Sequence, residues 1–156
     1  MFGLPLEELF TLLIAVQFMA IASHDLLDIP GLSHGRQIRA ALGARKLWLV
    51  TAVNSIFPGV ALGLGLAFWG HAHPLLVRGY WLLYCAITVL SAIAMWYLPY
   101  FFGANAKTKA EYNAFYAGTF QVLPPRGDNP RPNLLHIAFH VLFVITLVLS
   151  VLIVRR

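Results

Sequence analysis

The chain has 156 residues, of which 60% are hydrophobic and 11% charged, with a formal net charge of +5. A soluble domain carries about a quarter of its residues as charges, so this composition excludes one, and a mean hydropathy of +0.75 belongs in a bilayer. A single cysteine, Cys85, excludes an intrachain disulfide and a CxxC metal site; the positive charge comes without a basic stripe or a binding module, so no nucleic-acid partner is expected.

The first long apolar run covers residues 6–23. Glu7 and Glu8 stand at its start and no Lys or Arg precedes it, the reverse of a signal-peptide flank, so a retained membrane helix is expected. It holds Gln17 and leads into "SHDLLD", which carries His24, Asp25 and Asp28. The stretch "SHGRQIRAALGARK" follows. Its Ile38 and Leu42 are four apart with arginines opposite, which predicts a short basic helix lying on an anionic membrane surface.

The second run, 47–69, is flanked by Trp48 and Trp69. At 1.5 Å per residue they stand about 32 Å apart, close to the ~30 Å hydrocarbon thickness. Asn54 lies one turn before Pro58, which is expected to kink the helix. Gly59 and Gly63 form GxxxG, a close-packing motif that serves either the bundle itself or a homodimer. The connecting "GHAHP" places His71 and His73 in a short, exposed turn.

The third run, 79–102, carries Tyr80, Trp81 and Tyr84 toward one end and Trp96, Tyr97 and Tyr100 toward the other, as interfacial belts do; Thr88 and Ser91 lie between. In the following loop, "KTKAEYNAFYAGTF" spaces Tyr112, Phe115, Tyr116 and Phe120 for a second interfacial helix. "LPPRGDNPRPN" then forms a proline-stiffened turn, where Arg126 and Arg131 pair with Asp128 or with lipid phosphate. The RGD tripeptide there is too cheap a match to indicate adhesion. Asn133 suits the N-cap of the last run, 134–154, which makes His136 its third residue and puts His140 one turn on, on the same side.

Continuous rather than alternating hydrophobicity predicts helices, hence an all-α integral membrane four-helix bundle in one domain, 1–156, with short interfacial helices in two loops. The loops after the first and third spans hold Arg36, Arg39, Arg45, Lys46, Lys107, Lys109, Arg126 and Arg131; the other side holds only Arg78, Arg155 and Arg156. The positive-inside bias therefore places those two loops in the cytoplasm and both termini outside.

Polar residues then converge toward the cytoplasmic half. Gln17, Asn54, Ser91 and Tyr97 are the expected pocket lining, with His140 within reach of Asn54 or Gln17 and His136 nearer His24 and Asp25. The outer half reads as almost purely apolar. Each of these groups is costly in lipid and must face the bundle interior. They form either a water-accessible pocket or a packing plug. As a pocket, His24, His136, His140 and Asp28 are the candidate ligands of a metal ion or haem. Alternatively, His140 and Asp25 do acid-base chemistry on a lipid or prenyl substrate, with Arg126 and Arg131 drawn on for its phosphate. A third reading is an accessory subunit with no site.

Overall fold

The computed structural model describes residues 5–156. Its elements in order are α1 (Leu6–Ser23), a two-residue hairpin β1 (Asp28–Ile29) and β2 (Ser33–His34), α2 (Gly35–Leu42), α3 (Ala44–Ala67), α4 (Leu75–Ala92), a π-helical turn (Ile93–Tyr97), α5 (Leu98–Phe102), α6 (Ala106–Tyr116) and α7 (Leu134–Val154). Four segments are long and apolar enough to cross a membrane: α1, α3, Leu75–Phe102 and α7. The fold is all-α, and this is the architecture of an integral multi-pass membrane protein.

Exposure follows the same logic. Leu12, Val16 and Met19 on α1 and Val141, Val144 and Val148 on α7 point outward. In water such faces are a liability; in hydrocarbon they are the solvated surface. Inside, α1 packs on α3 and α7, and α4 packs on α7 and touches α3. The core joins Phe10 and Ile14 to Ala61, Val77, Trp81, Cys85 and Ile153.

Trp81 is 0% exposed, stacks 4.5 Å from Phe10 and donates to the Ala61 carbonyl at 3.1 Å. It is a core residue, not a belt residue, and Tyr84 is buried with it. The reason is the helix start: α4 begins at Leu75, four residues before the apolar run suggests, which carries Trp81 deeper into the bundle. Trp48 and Trp69 are exposed, as interfacial rings should be.

α3 is one continuous helix through the buried Pro58. Its small residues serve the seam with α1. A Cβ at Gly65 would overlap the Thr11 side chain, and one at Gly59 would come within 3.3 Å of Phe18, whereas Gly63 faces open space. Thus Gly59 packs against this chain's own α1.

The loops at the α1/α3 and α5/α7 end are stitched into one cap. Gly31, at φ +73°, turns the hairpin, and its carbonyl accepts from Phe120 N at 2.6 Å. Gln121 bridges Asn133, closing the proline-rich turn on itself. Asn133 caps α7 by accepting from His136 N at 3.0 Å while its amide donates to Leu32 O at 2.9 Å and Thr119 Oγ1 at 3.2 Å. α2 buries Ile38 and leaves its arginines outward; α6, capped by Asn105, ends at Tyr116 ahead of Gly118, at φ +83°. Phe120 therefore lies beyond that helix and is exposed.

Candidate functional site

At the cap end, α1, the π-helical turn, α6 and α7 bring their aromatic and titratable side chains together. His24 follows the last residue of α1. Its Nδ1 lies 3.2 Å from Ala20 O and 3.1 Å from Ile21 O, so that nitrogen carries a proton and caps the helix with it. Nε2 faces Asp25 Oδ1 at 3.2 Å. Burial pushes the Asp25 carboxyl up from its usual range, partly opposed by His24. The Tyr116 hydroxyl is likewise raised by burial and then by the charge of Asp25.

His136 is the hub. Its ring lies 4.1 Å from Trp96, 5.0 Å from Tyr116, 5.9 Å from His24 and 6.3 Å from His140. Because the Asn133 amide nitrogen is committed to two acceptors, its oxygen faces His136, and Nδ1 donates to it at 2.7 Å. This bond holds one tautomer and one ring orientation. His140, one turn deeper and 8% exposed, has Nδ1 3.2 Å from the Tyr97 hydroxyl. A regular α-helix splays consecutive side chains by about 100°. The wider π turn at Ile93–Tyr97 lets neighbours Trp96 and Tyr97 both meet α7, one at each histidine.

The other expected site residues lie elsewhere. Gln17 belongs to a separate node deeper in the bundle: its Nε2 donates to Thr146 Oγ1 at 2.7 Å, and Tyr84 donates to its Oε1 at 2.9 Å. Asn54 and Ser91 are exposed, neither is among the residues that line the groove between α4 and α7, and neither is hydrogen-bonded to His140. Asp28 is drawn off by Arg36, which donates its backbone N at 3.0 Å and Nε at 2.6 Å. Arg126 lies over Tyr100 and Phe101, at 5.8 and 5.2 Å, and Arg131 donates to Leu123 O at 3.2 Å. Asp128 takes Lys109 instead of either arginine, at 2.7 Å.

Two features at the opposite end also depart from expectation. His73 is buried, 4.8 Å from Trp81, and neither ring nitrogen has a hydrogen-bond partner, while only His71 is exposed. Glu7 and Arg78 approach to 3.7 Å, so that half is not purely apolar. The sequence placed Trp96 in an interfacial belt and Tyr116 on an interfacial helix, with no part in the site for either, and did not single out Thr146. A lone threonine in the deep half of the most apolar span is the one signal that could have flagged the Gln17 node.

Between α4, the π turn and α7 runs a groove of ≈450 Å³, lined by Val89, Ile93, Val141 and Val144 among others, with Tyr97 and His140 at its polar end. No group of three or more His, Cys, Asp or Glu is arranged to hold a metal ion among the described residues. Compared with family models, with curated proteins and with solved structures, the chain matches none.

Proposed function

We propose that this is a small multi-pass membrane protein that takes a lipid or prenyl compound into the α4/α7 groove, with Tyr97 and His140 meeting its polar head and able to exchange a proton with it. One observation carries the reading: an otherwise apolar groove on membrane-spanning helices ends on a hydrogen-bonded His–Tyr pair. A hydrocarbon chain is the solvent of such a surface, whereas a polar pair at its end has value only to a molecule that carries a head group. His and Tyr are both competent general acids or bases.

The binding of a metal ion or haem is supported less well. Among the described residues no three His, Cys, Asp or Glu side chains are grouped to hold a metal ion. Asp28 is turned to Arg36 on the surface. We place the cap in the cytoplasm because the loops that form it hold most of the Lys and Arg; an externally labelled Cys at position 107, in a Cys85→Ala background, would overturn that orientation.

The test of the function is photo-labelling in phosphatidylcholine nanodiscs with a diazirine-bearing prenyl lipid. Labels should map to the segments around Val89, Ile93 and Val144, and Val144→Trp should remove most of them. Labels spread evenly over the four spans would mean bulk lipid only, and the reading would fail.

A further inference from the structure

We infer that a recess at the elbow between α2 and α3 holds one anionic phospholipid, its phosphate on Arg45 and Lys46 and one acyl chain along α3. The recess has a volume of ≈440 Å³ and is lined by Leu42, Gly43, Ala44, Arg45, Lys46 and Leu49. None of these residues lines the α4/α7 groove, so this inference and the reading above stand or fall separately. The first reason is charge. Arg45 and Lys46 are exposed, and among the described residues no Asp or Glu lies within ion-pair distance of either. Other cations at this end are engaged: Arg36 by Asp28, Lys109 by Asp128, Arg131 at the Leu123 carbonyl and Arg126 over Tyr100 and Phe101. The phosphate contact that the sequence offered to Arg126 and Arg131 therefore falls to Arg45 and Lys46.

The second reason is an apolar path that leads away from those two cations. Residues spaced by three and four share a helix face. Arg45, Leu49, Val53, Ile56 and Val60 follow that spacing along α3, and all five are exposed. At 1.5 Å per residue the apolar part, Leu49 to Val60, is about 16 Å long, against ~15 Å for one leaflet's half of the hydrocarbon core. Trp48, also exposed, lies one turn inward of Arg45 and marks the interface, which puts the Arg45 guanidinium at head-group level. A charged group thus meets the head and a leaflet-long apolar face meets the chain. The sign of the head follows from the same residues. A zwitterionic head brings an ammonium toward two cations with no carboxylate near to receive it, whereas a net negative head is attracted by both.

The experiment reads the lipid beside Trp48 by bromine quenching. The protein is placed in vesicles of phosphatidylcholine and phosphatidylglycerol in which only one of the two lipids is brominated, and the Trp48 signal is taken as the difference from Trp48→Phe. Phosphatidylglycerol should outcompete phosphatidylcholine there about tenfold or more, the worth of two cations near a surface. Arg45→Gln and Lys46→Gln should each cut that preference about fivefold, and the two together should abolish it with helicity unchanged. Lys46→Arg, which keeps the charge, should keep the preference, and high salt should weaken it. Arg39→Gln, on α2 and outside the recess, should leave it as it is. Equal losses at Arg39, Arg45 and Lys46 would show a diffuse basic surface and overturn the site. No preference in the unaltered protein would overturn it as well, and so would a preference that survives the Arg45→Gln/Lys46→Gln double variant.

Discussion

Two polar arrangements sit inside this bundle, built from similar side chains to opposite ends. At Gln17 the network is closed. Tyr84 donates to the amide oxygen, the amide nitrogen donates to Thr146, and Thr146 returns its proton to the α7 backbone at Leu142 and Phe143. Three helices are tied together, and the protons that Tyr84, Gln17 and Thr146 can donate are all used inside the bundle. At Tyr97 and His140 the pair bonds to itself and stops, with a ring nitrogen unused, beside an open groove. A closed network rigidifies a membrane bundle, whereas an open one is a place where something else completes the bonding.

That contrast predicts separable consequences. Gln17→Leu should cost the most stability, about 3 kcal/mol, because it removes the links to α4 and α7 and leaves the Tyr84 hydroxyl buried alone. Reversible unfolding in mixed detergent micelles measures it. A loss below ~1 kcal/mol would mean the node does not hold the helices together.

Next comes the seam that sets where Gln17 stands. Gly65→Ala forces a methyl into Thr11, whose branched side chain cannot swing away on a helix, so α1 must shift; overpacking of this kind costs about 2 kcal/mol. Gly63→Ala faces open space and should be neutral or slightly stabilising. Equal effects at the two positions would refute the close α1/α3 contact.

At the open pair the order reverses. His140→Leu should change stability by only about 1 kcal/mol, since it strands one phenol hydroxyl near the groove, while labelling of the groove falls about tenfold or more. Unfolding and photo-labelling on the same preparation separate the two. A variant that unfolds without losing its label would make His140 a second Gln17.

Much of this was legible beforehand, and the rest was hidden for identifiable reasons. Continuous apolar runs gave the four spans, Asn133 read correctly as a cap, and the i,i+4 histidines do share a side of α7. Depth was legible only in part: by helical rise His24 and His136 were expected together, as they are, whereas Gln17 was expected at His140 and meets Thr146, six residues farther along α7. Helix rotation was not. Nothing in an apolar sequence says which face of α3 or α4 meets a neighbour, so Asn54 and Ser91 were placed inward and lie outward. The π turn was invisible for the same reason: it changes the angular register by less than one residue, and no composition marks it. His73 could not be read as buried because its shelter, Trp81, comes from a helix whose start was misplaced by four residues.

The smallest expected effect lies outside both arrangements and checks that the cap is only a frame for them. Asp28 holds the start of α2 through the Arg36 backbone N–H and guanidinium, and chiefly that backbone bond, with the guanidinium beside it, keeps its carboxyl below the ordinary value of 3.8. A carboxyl depressed in the folded state ionises more readily there than in the unfolded chain. Its contribution is therefore fully present above the ordinary value and is lost as pH falls through the folded one. The stability difference between the unaltered protein and Asp28→Asn should be constant from about pH 7 to 5 and shrink below about pH 4. It should also be small throughout and weaken with salt, because the pair is exposed. Groove labelling should not change, since Asp28 sits on the surface hairpin and not at Tyr97 and His140. A loss of labelling in Asp28→Asn would show that the cap takes part in binding, and would erase the line between frame and site.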